Sequence, residues 1–399
     1  MVVGYHFLLA FYVYAFYGPG NGTPAHTHIE SGAYGFPLMA FLSGTFAVSL
    51  FFLLSGFVLS IGFFKKKDGA VVKGLAIKRY PRLMLPALTS VLLCYVLMKL
   101  GLSHVARAAA ITHSGWLALQ WTAVPHLFTA IKEGTWGIFT NGASAYNNVL
   151  WTMTTEFFGS FLVFGFLLLF AGSRYRWVLY GLIGLMTFNT WLIGFIVGMV
   201  FADLYSMGII KQKVRGIGML AVLALGIFMG GYPIGGVKGT IYEYITLPYI
   251  TQIDNMVLHL ALGASLVVFA VLSTKQVTDM LNSKPISGLG RYTFSLYLTH
   301  IPVLFTVTTA LFIFFQRHMG YNRSVLSAIA VSVPLLWVST WLFEKYVDAP
   351  AIGFARYIAE VYEGKRALVI PALFIRYREN LQQLRLRFIG ATEDEEVAE

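Results

Sequence analysis

Phe51-Phe52-Leu53-Leu54-Ser55-Gly56-Phe57-Val58-Leu59 is followed by Lys65-Lys66-Lys67, and Lys78-Arg79-Tyr80-Pro81-Arg82 then runs directly into Leu83-Met84-Leu85. Apolar stretches of this length on either side of a cationic cluster read as two membrane helices, because a bilayer leaves the backbone no partners outside the segment itself. The cluster has two readings. It marks the cytoplasmic side of the membrane. It is also a candidate anion site, since the planar fork of an arginine donates two parallel hydrogen bonds to a phosphate. Pro81 and Pro86 stiffen this stretch, and Arg82 leads into bilayer depth, where a cation needs an anionic partner.

Composition agrees with that fold class. The chain is 57% hydrophobic and 12% charged, against about 25% charged for a soluble domain, and its mean hydropathy is +0.69. The expected fold is all-α, a polytopic integral membrane protein of about ten transmembrane helices. We place the spans at 2–17, 38–63, 83–101, 149–172, 176–188, 190–206, 215–232, 256–273, 292–315 and 324–345. The apolar stretch 112–131 is interrupted by His113, Gln120, Pro125 and His126 and reads as interfacial or re-entrant. The expected domains are a membrane domain over 1–350, a cytoplasmic basic amphipathic segment over 351–390 and an acidic disordered tail over 391–399. Within the second, Ile375 to Phe388 reads as a helix on the inner leaflet, and the tail carries Glu393-Asp394-Glu395-Glu396. No cleavable signal peptide is evident in residues 2–17.

With both termini cytoplasmic, the inner segments hold 23 lysines and arginines and the outer loops five, which sets the orientation. The same bias produces the net charge of +11, so that charge does not point to nucleic acid. One cysteine, Cys94, rules out an intrachain disulfide and a cysteine zinc site. No metal is expected.

Three further positions carry candidate chemistry. His6 lies in the first span, where an imidazole is costly to desolvate and has an ordinary pKa suited to taking a proton from a hydroxyl. It reads equally as a packing histidine. Glu156, in Trp151-Thr152-Met153-Thr154-Thr155-Glu156, reads either as the ion-pair partner of an arginine or as a group that orients a histidine or binds a hydroxyl. His300 lies just before Pro302, where a kinked helix lines a cavity. Glu344 and Asp348, before Pro350, read as structural.

Taken in order, these motifs resemble the membrane acyltransferase-3 family, which includes O-antigen and nodulation-factor acetylases. The carriers are Phe51–Leu59; Arg79-x-x-Arg82 followed by Leu-x-Leu-Pro; Leu150-Trp151-Thr152-x3-Glu156-Phe157; the stretch from Gly290 to His300-Ile301-Pro302; and Phe343-Glu344-Lys345-Tyr346-Val347-Asp348-Ala349-Pro350. The resemblance runs from residue 1 to about 355. It implies ten core helices and transfer of an acyl group, commonly acetyl from acetyl-CoA, to a hydroxyl of a carbohydrate, lipid or secondary metabolite. His6 and Glu156 are then the catalytic candidates. Arg79 and Arg82 are the donor-binding candidates, and Trp151, Tyr297 and His300 the substrate-binding ones. The implied partners are the bilayer, acyl-CoA as co-substrate rather than a resident cofactor, and a hydroxyl-bearing acceptor. One departure stands out. Family members carry an arginine or lysine about three helical turns before the first-helix histidine, and His6 has only five residues before it. Either an N-terminal extension is missing or that cation is dispensable. Two other readings stay open: a secondary transporter, and a catalytically inactive family member acting as a scaffold.

Overall fold

The computed structural model describes residues 1–21, 24–212 and 217–367. The chain divides into two compact units, Met1–Ala355 and Arg356–Glu399. The first is a helical bundle with no strand among the described residues. Its principal helices are α1 (Val2–Phe11), α2 (Gly44–Lys66), α3 (Gly69–Lys99), α4 (Thr152–Leu169), α5 (Arg176–Thr187) and α6 (Ile193–Ser206). They continue with α7 (Ile217–Gly230), α8 (Gln252–Ser273), α9 (Thr293–Gln316) and α10 (Tyr321–Phe343).

Each expected span coincides with one of these helices. Among the described residues, six helices are by length and composition able to cross a bilayer: α2, α3, α4 with its preceding turn from Asn148, α8, α9 and the helix beginning at Tyr321. α1, α5, α6 and α7 are shorter, so the expected ten crossings are not all matched by full-length helices. Large apolar side chains are exposed along the outer faces of the bundle, among them Phe158, Leu169, Leu185, Met186, Val333 and Val338. Outward apolar faces with a packed interior suit lipid as solvent. The protein is an integral membrane protein.

The cationic stretch differs from the expectation. Residues 69–82, expected as loop, form the first turns of α3. Lys67 ends α2 in the left-handed conformation, and the Asp68 side chain caps α3 by accepting from the Ala70 N–H at 2.8 Å. The connection is therefore a two-residue turn, and Arg79 stands about 15 Å along the helix from Gly69 at 1.5 Å per residue. Hydropathy scores cations as unfavourable to a membrane segment. Here the cations lie on a continuous helix with one face against the bundle.

Tight helix pairing fixes the core around the site. α2 and α6 approach through Gly56 and Gly198; a Cβ on Gly198 would stand 2.0 Å from the Leu53 carbonyl oxygen. Small residues permit that approach in membrane bundles. In α9, Pro302 removes one backbone donor, and the helix widens to a π turn over Leu304–Thr308. The carbonyl left without its helical donor is that of Leu298, which accepts from Asn147 Nδ2 at 3.0 Å, and Thr306 Oγ1 donates to the Pro302 carbonyl at 2.6 Å. A second π turn spans Glu344–Asp348. There Glu344 accepts from Arg291 Nη2 at 2.8 Å and Asp348 from Ser295 Oγ at 3.5 Å. The stretch 102–148 forms the short helices Val105–Thr112 and Gly115–Ala118 and a helix that runs from Leu127 to Thr140 through a π turn at Glu133–Gly137.

Within the second unit, the described residues carry the ion pairs Lys365–Glu363 at 2.5 Å and Arg366–Glu360 at 3.2 Å. The expected amphipathic helix over Ile375–Phe388 and the acidic run Glu393–Glu396 lie outside the described residues.

Candidate active site

His6 lines a cavity of about 200 Å³ at the meeting of α1, α2, α4 and α9. Thr152, Trp151 and Tyr297 line it from α4, its leading turn and α9 respectively, Thr45 from α2, and Trp116 from the 102–148 segment. Trp116 sits on the short helix Gly115–Ala118, whose cap Ser114 donates from Oγ to the Leu9 carbonyl of α1 at 3.1 Å. That bond locks the Trp116 helix to α1. The indole stacks on the His6 ring, with centroids 5.4 Å apart and planes 28° from parallel. Tyr297 is fixed in turn: its hydroxyl lies 2.7 Å from Thr152 Oγ1 and donates to the Val149 carbonyl.

Behind His6 lies His300, whose Nε2 is 3.0 Å from His6 Nδ1. His300 Nδ1 is 3.1 Å from the Leu296 carbonyl one turn earlier in α9. A carbonyl only accepts, so Nδ1 of His300 carries the proton. Neutral His300 then presents a bare Nε2, to which His6 Nδ1–H donates. His6 Nε2 is left with its lone pair, the form a general base requires. Expected among substrate contacts, His300 is fully buried and absent from the cavity lining. It contacts His6 instead, because α9 packs its His300 face against α1.

Glu156 also departs from one of its two readings. It is 1% exposed, is absent from the cavity lining, and pairs with Arg79. Ser55 of α2 donates to the same oxygen, Oε1, at 3.0 Å. Glu156 Oε2 and Arg79 Nε have no hydrogen-bond partner. The contact found is the ion pair with an arginine; Glu156 bonds neither histidine. The two arginines therefore differ. Arg79 is held inside the bundle by Glu156 of α4, while Arg82, one turn on, is exposed and makes no ion pair among the described residues. No cluster of three or more histidine, cysteine or carboxylate side chains suited to a metal occurs among the described residues.

A family model described as an acyltransferase domain matches residues 1–344. The chain belongs to the acyltransferase-3 family. No curated protein and no solved structure matches it. The matched residues include all seven candidates, His6, Arg79, Arg82, Trp151, Glu156, Tyr297 and His300. Of these the fold gathers His6, Trp151 and Tyr297 around one cavity, with His300 directly behind, and sets Arg79 and Glu156 one helical turn beyond Thr152. Sequence reasoning does not reach Trp116, Thr45 or Tyr5, which also line the cavity. No pattern in the sequence marks Trp116; its place depends on a contact with α1 that is remote along the chain.

Proposed function

We propose that this family member transfers an acyl group, acetyl in the simplest case, from acyl-CoA to a hydroxyl on a second substrate. The observation that carries this reading is the hydrogen-bonded run from the Leu296 carbonyl through His300 to His6, beside a cavity open to a small substrate. His6 Nε2 takes the proton of the acceptor hydroxyl as its oxygen attacks the thioester carbonyl. The tetrahedral intermediate collapses with cleavage of the C–S bond. The leaving thiolate recovers the proton from the His6 imidazolium and departs as CoA thiol. The exposed Arg82 takes a phosphate of CoA from the cytosolic side. Arg79, held by Glu156, supplies positive charge nearer the thioester. The acceptor enters at the opposite end, past Trp116 and Trp151.

The experiment uses the purified protein in lipid nanodiscs with acetyl-CoA, water standing in for the acceptor, and reads CoA thiol release together with CoA binding by calorimetry. Wild type is expected to bind CoA and release thiol, and His6→Ala to bind CoA without releasing it. Wild-type protein that binds no CoA, or His6→Ala turning over at the wild-type rate, would overturn the reading. A transporter would bind its substrate without cleaving the thioester.

A further inference from the structure

A second cavity of about 170 Å³ adjoins the first and shares Val2, Val48, Thr152 and Tyr297 with it. The rest of its wall is almost wholly apolar: Ala47 and Phe51 from α2, Met153 from α4 and Phe294 from α9. Three hydroxyls reach it, and each is already engaged. Thr293 Oγ1 donates to the Gly290 carbonyl at 2.8 Å. Thr152 Oγ1 lies 3.1 Å from the Val149 carbonyl and 2.7 Å from the Tyr297 hydroxyl, which itself donates to Val149. The cavity therefore offers a guest an apolar wall and no hydroxyl proton that is not already donated. The amide carbonyls of an arm such as pantetheine would lose their bonds to water there and find no donor in its wall. An alkyl chain gives up nothing.

Position narrows the guest further. The cavity lies along α2 and α4 between the Ser55–Glu156–Arg79 cluster, one turn from Phe51 and Thr152, and the His6 cavity. A thioester whose carbonyl stands at His6 and whose CoA is held by Arg82 would have this space directly beside its acyl group. As about 10–15 Å³ accommodates one water-sized group, the cavity has room for on the order of ten, far more than the single methyl of an acetyl group.

We propose that this cavity is an acyl-chain pocket, and that the enzyme takes donor thioesters with linear acyl groups of up to about six carbons. The inference rests on the acyl-CoA reading above. Its test is calorimetric binding of CoA, acetyl-CoA, butyryl-CoA and hexanoyl-CoA to the protein in nanodiscs, with empty nanodiscs as the blank. Affinity is expected to rise about fourfold per added methylene, from ~0.8 kcal/mol per buried CH₂. Ala47→Phe, which fills the cavity from a position that does not line the His6 cavity, should flatten the series and leave the affinity for CoA itself unchanged. Phe51→Ala should extend the rise to octanoyl-CoA, an independent check should Ala47→Phe fail to fold. A flat wild-type series with normal CoA binding overturns the pocket and leaves the acyltransferase reading standing. A rising series that neither variant alters places the chain elsewhere, in lipid or at another surface, and also overturns it. Absence of CoA binding removes both.

Discussion

Breaking the Arg79–Glu156 pair from one side should cost the fold more than it costs the proposed donor site. The Arg79 side chain is 11% exposed and that of Glu156 2%. Arg79→Met would leave a buried carboxylate whose one remaining partner is the Ser55 hydroxyl. Removing one member of a buried pair typically costs about 3–5 kcal/mol, because the survivor is left charged, desolvated and uncompensated. Glu156→Gln should cost less, since its amide oxygen still accepts from Arg79 and Ser55. The double variant Arg79→Met/Glu156→Gln should recover most of the loss, giving a coupling of about 2 kcal/mol or more, within the range for groups in one network. The orphaned Arg79 Nε and Glu156 Oε2 argue the same way, since a pair already short of partners gains little net stability from being present intact. The free energies are read by steric trapping in bicelles, with all three variants and wild type in the Cys94→Ser background. Single variants costing under about 1 kcal/mol, or losses that simply add in the double variant, would show that the ion pair is not the buried, coupled unit described. An activity loss in Arg79→Ala cannot be read as lost donor binding until this cost has been measured.

Arg82 is the cleaner probe of the donor. Arg82→Ala should weaken CoA binding in calorimetry with little change in stability, and Arg82→Lys should restore little of it, because a point charge does not reproduce a bidentate fork. For the histidine pair, His300→Ala should lower turnover by roughly 10–100-fold at unchanged KM, as His6 loses its fixed tautomer, and ¹⁵N spectra of the labelled protein should show His6 as a mixture of tautomers. His300→Gln, which offers an amide oxygen near the position of Nε2, should retain more activity than His300→Ala, and equal activity in the two would remove His300 from the mechanism. Topology is tested with single cysteines at exposed sites in the Cys94→Ser background: Lys66 and Lys211 should label from one side of the membrane only, Lys132 and Lys238 from the other. Lys238 is preferred to the neighbouring Gly235, where a Cβ would stand 2.3 Å from the Tyr17 backbone. Labelling of residues 66 and 132 from the same side would undo the orientation and the cross-membrane entry of donor and acceptor.

The helical fold was legible because burial in lipid and apolar composition are the same signal. Residues 256–273, for example, read as a span, and α8 occupies them. What hydropathy obscured was the start of α3. Lys73, Lys78, Arg79 and Arg82 read as loop, yet Asp68 caps a helix that carries them. The type of contact at Glu156 was legible, since a buried carboxylate needs a cation, but Arg79 as the partner depends on how α3 and α4 face each other. His6 and His300 were each recognisable as costly intramembrane imidazoles. Their contact, across 294 positions of sequence, follows from the packing of α1 on α9, which no local pattern encodes. Trp116 had no signal at all, because an indole in an interrupted apolar stretch has no feature that assigns it to one wall of a cavity.

α9 shows how one element can set both the chemistry and the rigidity of such a site. Leu296, Tyr297 and His300 lie within little more than one turn, so a carbonyl, a cavity wall and the histidine behind His6 are fixed relative to one another by a single backbone. The π turn follows immediately, at Leu304–Thr308, and changes the register of everything beyond it. Phe305, inside that turn, packs edge-on against Trp121 at 5.2 Å and against Trp116 at 5.8 Å between ring centroids. Trp116 in turn stacks on His6. α9 therefore holds the His6 ring twice, once in-plane through the His300 hydrogen bond and once across its face through Phe305 and Trp116. An imidazole restrained in both directions loses little freedom when it meets a partner, which is what the proposed base would need of a preorganised site. Regular helix after Pro302 would turn Phe305 off the Trp116 face and leave that indole without its support from α9. In this account the proline and the π turn are part of the site rather than a flaw in the helix that carries it.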